Sequence, residues 1–385
     1  MSLITKQRRL GGLDLLRAAA IISVVLTHYQ LERPTPFPFL RYGWVGVDLF
    51  FVLSGYLIGG QLLSLQLKRG SIPFRTFYLR RFMRTLPSYY VALALYVMIP
   101  ALNPVLGVKP NLVVLAYYLT FTQNLALMMP YFQISWSLCI EEHFYLLLPL
   151  VILFLRRWNR RIILLVFLVV FLSQLLIRCA IIGYGMENHA LTTEAEILSW
   201  LSRVYYPTYC RLDGLTVGVG LAALQLHQPQ IWSKLMGLGN KLLVAAVVTL
   251  ALTFWLISTK YYLITGTAGF TMLSISFGLF TAAALSPGSY LHRINWRPVR
   301  LTAELAYSIY LTHPIAFYLT GMLLARFGLD AHAGGTFIAL MLGVLLLAMA
   351  LYLIVERPCL KLRDRVFFYR LAEPGSELTT AAESR

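Results

Sequence analysis

Apolar runs of about 18 to 23 residues recur along the whole chain, with 162–182 and 335–355 the cleanest, and each is long enough to cross a hydrocarbon core of roughly 30 Å as a helix. No water reaches the backbone at that depth, so every N–H and C=O must be satisfied inside the span, and an α-helix does this unaided. The pattern therefore predicts an all-α polytopic membrane protein. Composition agrees, since 58% of the 385 residues are hydrophobic and 13% are charged, where a soluble domain carries roughly a quarter.

Eleven apolar segments can be marked, near 13–30, 43–66, 86–101, 112–130, 138–155, 162–182, 204–226, 241–258, 263–284, 303–325 and 335–356. Basic residues gather in cytoplasmic loops, which puts the N-terminal tail, 67–84 and 156–161 on the cytoplasmic side. Only one crossing then fits between 101 and 156. Segment 112–130 carries Thr120, Thr122, Gln123 and Asn124 at its middle, so it is read as re-entrant or interfacial. Ten transmembrane helices remain, with both termini cytoplasmic. On that topology 24 Lys and Arg are cytoplasmic and 6 are outside, while Arg17, Arg178 and Arg211 lie within spans.

The net charge of +17 is thereby explained by topology, and no nucleic-acid partner is expected. Lys6, Arg8 and Arg9 ahead of an apolar stretch resemble a signal peptide, but Asp14 and Arg17 interrupt that stretch and no small-residue cleavage site follows, so it is expected to stay as the first span. Cys139, Cys179, Cys210 and Cys359 are isolated and suggest neither a disulfide framework nor a metal site. The expected organisation is a cytoplasmic tail at 1–12, a transmembrane domain at 13–358 and a partly disordered cytoplasmic tail at 359–385, with the polar stretch from about 372 disordered.

Ionisable residues inside spans are costly and point to function. Arg17 and His28 are eleven positions apart, which at about 100° per residue returns them to nearly the same helix face, about 16 Å apart along the axis. Taken alone, Arg17 could snorkel with Asp14 as its partner, while His28 ends the helix at the interface. Ser54 and Gly55 in the second span are small enough for close helix contact. The cations Arg80, Arg81 and Arg84 orient the chain and could also hold a polyanion such as a nucleotide diphosphate. Glu141, Glu142 and His143 open a span on the outer side, at the depth of His28, and a carboxylate beside an imidazole raises its basicity.

These residues fall into ordered motifs. Asp14-Leu15-Leu16-Arg17 precedes His28 by an arginine, ten residues, histidine spacing. Phe50-Phe51-Val52-Leu53-Ser54-Gly55 follows, then Arg80-Arg81 with Arg84 and Pro87, then Trp136-Ser137-Leu138 with Glu141 and Phe144-Tyr145. Arg211-Leu212-Asp213-Gly214 and Tyr307-Ser308-Ile309-Tyr310-Leu311 with His313 complete the series. Over roughly residues 10 to 358 the chain resembles acyltransferase family 3, membrane-bound O-acyltransferases of sugars and cell-surface glycans. It departs from the usual pattern at His143 and at Thr302-Ala303-Glu304-Leu305-Ala306. The short stretch after the last span leads us to expect none of the extracytoplasmic SGNH-type esterase domain fused to some relatives.

The resemblance implies transfer of an acyl group, commonly acetyl, from a cytoplasmic acyl-coenzyme A to a hydroxyl of an extracytoplasmic carbohydrate or glycosylated acceptor. Acyl-CoA is then a co-substrate, and no permanently bound cofactor is expected. The implied partners are the saccharide acceptor, the lipid bilayer and polysaccharide-biosynthesis proteins, in a bacterial plasma membrane. Lipopolysaccharide O-antigen, exopolysaccharide, a peptidoglycan precursor or a glycosylated small molecule would each suit an outer pocket shaped by loops 31–42 and 183–203.

In this reading His28, Arg17 and Glu141 are catalytic and Arg80, Arg81 and Arg84 bind the donor, with Asp14, Ser54, Glu142, Arg211, Asp213, Tyr307 and His313 in support. His28 would deprotonate the acceptor, Glu141 would orient the imidazole, and Arg211 or Tyr307 would stabilise the oxyanion. An acyl-histidine intermediate is the rival route. Arg17 would either contact the donor or hold Asp14, and His313 would be either a core histidine or a wall of the acyl channel. A transporter or flippase of lipid-linked saccharides is the alternative function, since intramembrane Arg, Asp and His also suit a substrate path. No internal symmetry of the kind common in transporters is visible.

Overall fold

The computed structural model describes residues 11–33, 37–99, 112–126, 132–185, 193–259, 261–330 and 333–369. The tail expected over 1–12 lies almost wholly outside them, as do the polar stretch from 372, the middle of loop 183–203, the tip of loop 31–42 and the end of segment 112–130.

Helices α1 (Gly11–Glu32) and α2 (Gly46–Arg69) are joined through a 3₁₀ stretch at Pro38–Val45, and α3 spans Phe74–Met98. Next come α4 (Leu112–Leu119), α5 (Trp136–Leu155), α6 (Arg160–Gly185), α7 (Glu194–Trp200), α8 (Asp213–His227) and α9 (Pro229–Met236). The remainder is α10 (Asn240–Thr259), α11 (Tyr261–Ile264), α12 (Phe270–Leu285), α13 (Tyr290–Arg293), α14 (Arg297–Arg326), α15 (Phe337–Leu351) and α16 (Arg357–Tyr369). Single π-helical turns follow α7, join α11 to α12 and join α15 to α16, so 359–369 is helix where the sequence suggested tail.

Among the described residues 8 helical stretches are long and apolar enough to cross a membrane, and the chain is a multi-pass membrane protein. Two of the ten expected spans are not among the eight. Helix α8 has 15 residues, and α3 begins at Phe74, so Arg75, Arg80, Arg81 and Arg84 ride on the helix rather than in the loop ahead of it. Arginine is a good helix former, and its charge had masked the continuity. Helix α4, at 8 residues, is about 12 Å long and too short to cross. Beyond it the chain turns through Phe121, whose φ of 58° is left-handed. Gln123 and Asn124 then enter the protein, where Gln123 donates to Ser135 Oγ (2.9 Å) and Asn124 to Thr208 Oγ1 (2.9 Å).

Several links meet at one end of the bundle: Arg156 donates to the Gly70 carbonyl, Ser286 to the Met236 carbonyl, and Gly11 abuts Ile294. This basic end carries the start of α3 and all of α16. At the other end Tyr29 stacks edge-on against Phe337, with centroids 5.0 Å apart.

Lipid tails are as apolar as leucine, so helix association in a bilayer relies on close packing of small residues. Helices α2 and α8 show this directly. Gly55 lies on the Leu215 backbone, and Gly218 lies on the backbone of Val52 and Tyr56, leaving no room for a Cβ at either position. Helix α14 packs Ile309, Ala316 and Phe317 into one core with Ile21, Val24 and Val25 of α1. That contact brings two distant histidines together.

Candidate active site

His28 and His313 meet between α1 and α14, with ring centroids 4.8 Å apart and planes at 62°. Nδ1 of His28 is 2.9 Å from the Val24 carbonyl one turn back. A carbonyl only accepts, so this nitrogen carries the proton and Nε2 is the one able to take another. Nδ1 of His313 likewise donates to the Tyr310 carbonyl at 2.9 Å. His313 is fully buried, whereas His28 keeps partial access.

The three polar residues expected beside His28 have partners of their own. Tyr145 donates to Glu141 (2.8 Å) and accepts from Ser54, Glu142 is buried against Arg81 and Thr85, and His143 Nδ1 meets Thr208 Oγ1 at 2.8 Å. The hydroxyl of Ser137 donates to Tyr310 (2.6 Å), which donates on to the Ile134 carbonyl (2.6 Å). Tyr310 is three residues before His313, and Glu141 lies one further turn towards the basic end. Ser54 has a different part from its neighbour: Gly55 makes the helix contact and Ser54 holds the tyrosine.

Ser137, Glu141 and Tyr145 recur every four residues, so they share one face of α5, running from the histidine pair towards the arginines. Ser137 and Tyr145 stand in the motif series but were given no role, although this spacing was readable. At the far end the Arg81 guanidinium sits 4.1 Å over the Tyr145 ring, and its Nε is buried without a hydrogen-bond partner. Arg84, one turn beyond Arg80 on α3, is exposed. Its electrostatic neighbours are Arg81, Glu356, Arg363 and Tyr145, so three cations from α3 and α16 converge there. Glu356 is engaged by the Ser308 hydroxyl at 2.7 Å. Arg80 is exposed.

Arg17 pairs with Asp14 at 3.3 Å. It shares the His28 face of α1 but, at about 16 Å away, not the histidine's reacting centre. The two candidate oxyanion donors are committed elsewhere. Tyr307 donates to the Thr85 carbonyl at 2.9 Å. Arg211 pairs with Asp48 at 2.8 Å and lies 3.6 Å over the Phe270 ring. Asp213 belongs to a buried clasp: Arg178 donates to both its oxygens (2.7 and 3.2 Å) and to Thr271 Oγ1 (2.7 Å), and Thr271 donates back to Asp213 (2.8 Å). Arg211 and Asp213 thus tie α8 to α2, α6 and α12 rather than facing His28. The sequence could not show this, because each partner lies on another helix.

The bundle thus holds a histidine pair between α1 and α14 and a cluster of three cations at its basic end. An acyltransferase-domain family model matches residues 10–354, and the chain belongs to that family, acyltransferase family 3. It is 29% identical over 338 residues to the O-acetyltransferase OatA of Staphylococcus aureus, covering 81% of this chain and 51% of that protein. The peptidoglycan O-acetyltransferase OatA of Listeria monocytogenes is 28% identical over 333 residues, covering 81% and 50%. The chain thus spans about half the length of the curated relatives it matches. No solved structure matches it.

Proposed function

We propose that this chain is an O-acyltransferase that moves an acyl group, acetyl first among them, from a cytoplasmic acyl-coenzyme A to a hydroxyl of an extracytoplasmic saccharide. The observation that carries this reading is the His28 ring, whose Nδ1 is committed to the Val24 carbonyl so that Nε2 is presented as a base. Family membership and relatives named O-acetyltransferases support the acetyl group, and the Listeria relative's name makes a cell-wall glycan the first acceptor to try. We place the basic end in the cytoplasm of a bacterial plasma membrane, with ten crossings once α3 and α8 are counted and both termini cytoplasmic.

In this scheme the phosphates of coenzyme A lie against Arg81 and Arg84, with Arg80 at the mouth and Arg17 on the same path. The pantetheine arm follows the Ser137–Glu141–Tyr145 face towards the histidines. Nε2 of His28 takes the acceptor's hydroxyl proton, and the freed oxygen attacks the thioester carbonyl. The new C–O bond forms as the C–S bond breaks, and the coenzyme A thiolate recovers the proton from His28.

Proteoliposomes holding the full chain, supplied with tritiated acetyl-coenzyme A and N-acetylglucosamine oligomers, test the proposal. His28→Ala should lower label transfer by about 10²- to 10⁴-fold. Retention of more than about a tenth of the rate would remove His28 from the role of general base. Transport of the oligomers without label transfer would instead favour a lipid-linked saccharide flippase.

A further inference from the structure

His313 has one ring nitrogen explained by the fold and one that is not. Pro314 lacks an N–H, so the carbonyl four residues earlier, Tyr310, loses its helical donor. Nδ1 of His313 fills that vacancy at 2.9 Å and also lies 3.1 Å from the Ile309 carbonyl. This bond protonates Nδ1 and makes Nε2 an acceptor. Nε2 is buried and has no hydrogen-bond partner among the described residues, in a side chain with no exposed surface. A buried acceptor left unmatched is costly, more so in a membrane interior. Among the described residues, His28 is the titratable group that acts on this ring. At a centroid separation of 4.8 Å the two rings are in contact.

We propose that His313 is a second histidine of the reacting centre, whose Nε2 accepts a hydrogen bond from the proton that His28 removes from the acceptor hydroxyl. In a Ser-His-Asp arrangement the carboxylate holds the nitrogen opposite the reacting one, a place that the Val24 carbonyl takes here; His313 instead accepts at the reacting nitrogen, without carrying a charge into the bilayer. The O–H bond of the acceptor breaks and its proton moves to Nε2 of His28. That N–H donates to Nε2 of His313 while the C–O bond forms and the C–S bond breaks. The proton then leaves with the coenzyme A thiolate, and both rings return to neutral. His313 acts through His28, so it is a positioning residue, and the inference rests on the reading of His28 as the base.

Two substitutions separate the jobs of the two nitrogens. His313→Asn keeps a donor near the Nδ1 position for the Tyr310 carbonyl and loses the acceptor at Nε2, whereas His313→Gln places an amide where Nε2 stood. With the full chain in proteoliposomes, tritiated acetyl-coenzyme A and N-acetylglucosamine oligomers, His313→Asn should lower kcat by about 30-fold or more, inside the range for proton-transfer assistance. His313→Gln should retain a kcat at least about tenfold above Asn, and KM for acetyl-coenzyme A should be unchanged in both. Asn equal to or better than Gln, both variants at wild-type rate, or a loss confined to KM would each overturn the inference. His28→Ala is run beside them. If it stays active, the reading of His28 fails, whereas an inactive His28→Ala with Asn matching Gln removes His313 alone.

Discussion

Replacing Asp213 by Leu strands Arg178, whose side chain has no exposed surface. The guanidinium loses its bonds at 2.7 and 3.2 Å and its counter-charge, and Thr271 loses the acceptor at 2.8 Å. The carbonyls of Cys210 and Thr267 remain but cannot neutralise a cation. Breaking one side of a buried ion pair costs about 3 to 5 kcal/mol. At about 2 °C per kcal/mol, the lower edge for large domains, the midpoint of thermal unfolding in detergent should fall by about 6 to 10 °C. Arg178→Met combined with Asp213→Leu removes both charges and fills the space with apolar atoms. Such replacements are often neutral, so the double variant should recover to within about 2 °C of wild type. Melting followed by dye labelling of the buried cysteines, with label transfer measured in parallel, reads both quantities. A double variant as unstable as Asp213→Leu would refute the electrostatic account, because the loss would then come from packing. A stable double variant whose transfer rate falls about 100-fold would refute the assignment of this clasp to scaffolding.

Two further outcomes follow from the geometry. Gly218→Val should lower the melting midpoint by at least about 6 °C, since its Cβ would collide with the Val52 and Tyr56 backbone, whereas Gly60→Ala, whose Cβ meets only Ala222 at 3.6 Å, should leave it unchanged; equal effects would mean that the α2–α8 approach is not tight. Arg84→Ala should raise KM for acetyl-coenzyme A by about tenfold with little change in kcat, and Arg80→Ala by less than about threefold, because Arg84 stands beside Arg81 and Arg363, whose fields add to its own; the reverse order, read from saturation curves at fixed acceptor, would remove Arg84 from the donor site.

The linear sequence determined what depends on neighbours along a helix. Long apolar runs dictated helices because lipid satisfies no backbone polar group, and the eleven-residue spacing put Arg17 and His28 on one face of α1. The same arithmetic could have marked Ser137, Glu141 and Tyr145 as one stripe. It could not say what that face meets. His28 was expected beside Glu141, and nothing in the sequence marked its contact with His313, which the packing of Ile309, Ala316 and Phe317 against α1 brings about. Arg211 and Asp213, two residues apart, were read together, yet they pair with Asp48 on α2 and Arg178 on α6. The close approach of α2 and α8 at Gly55 and Gly218 brings Asp48 within reach of Arg211. A charge in a low-dielectric interior takes whichever counter-charge the packed helices bring to it, and helix order and rotation come from shape matching across the whole bundle. Residue types and faces were therefore legible in one dimension, and partners only in three.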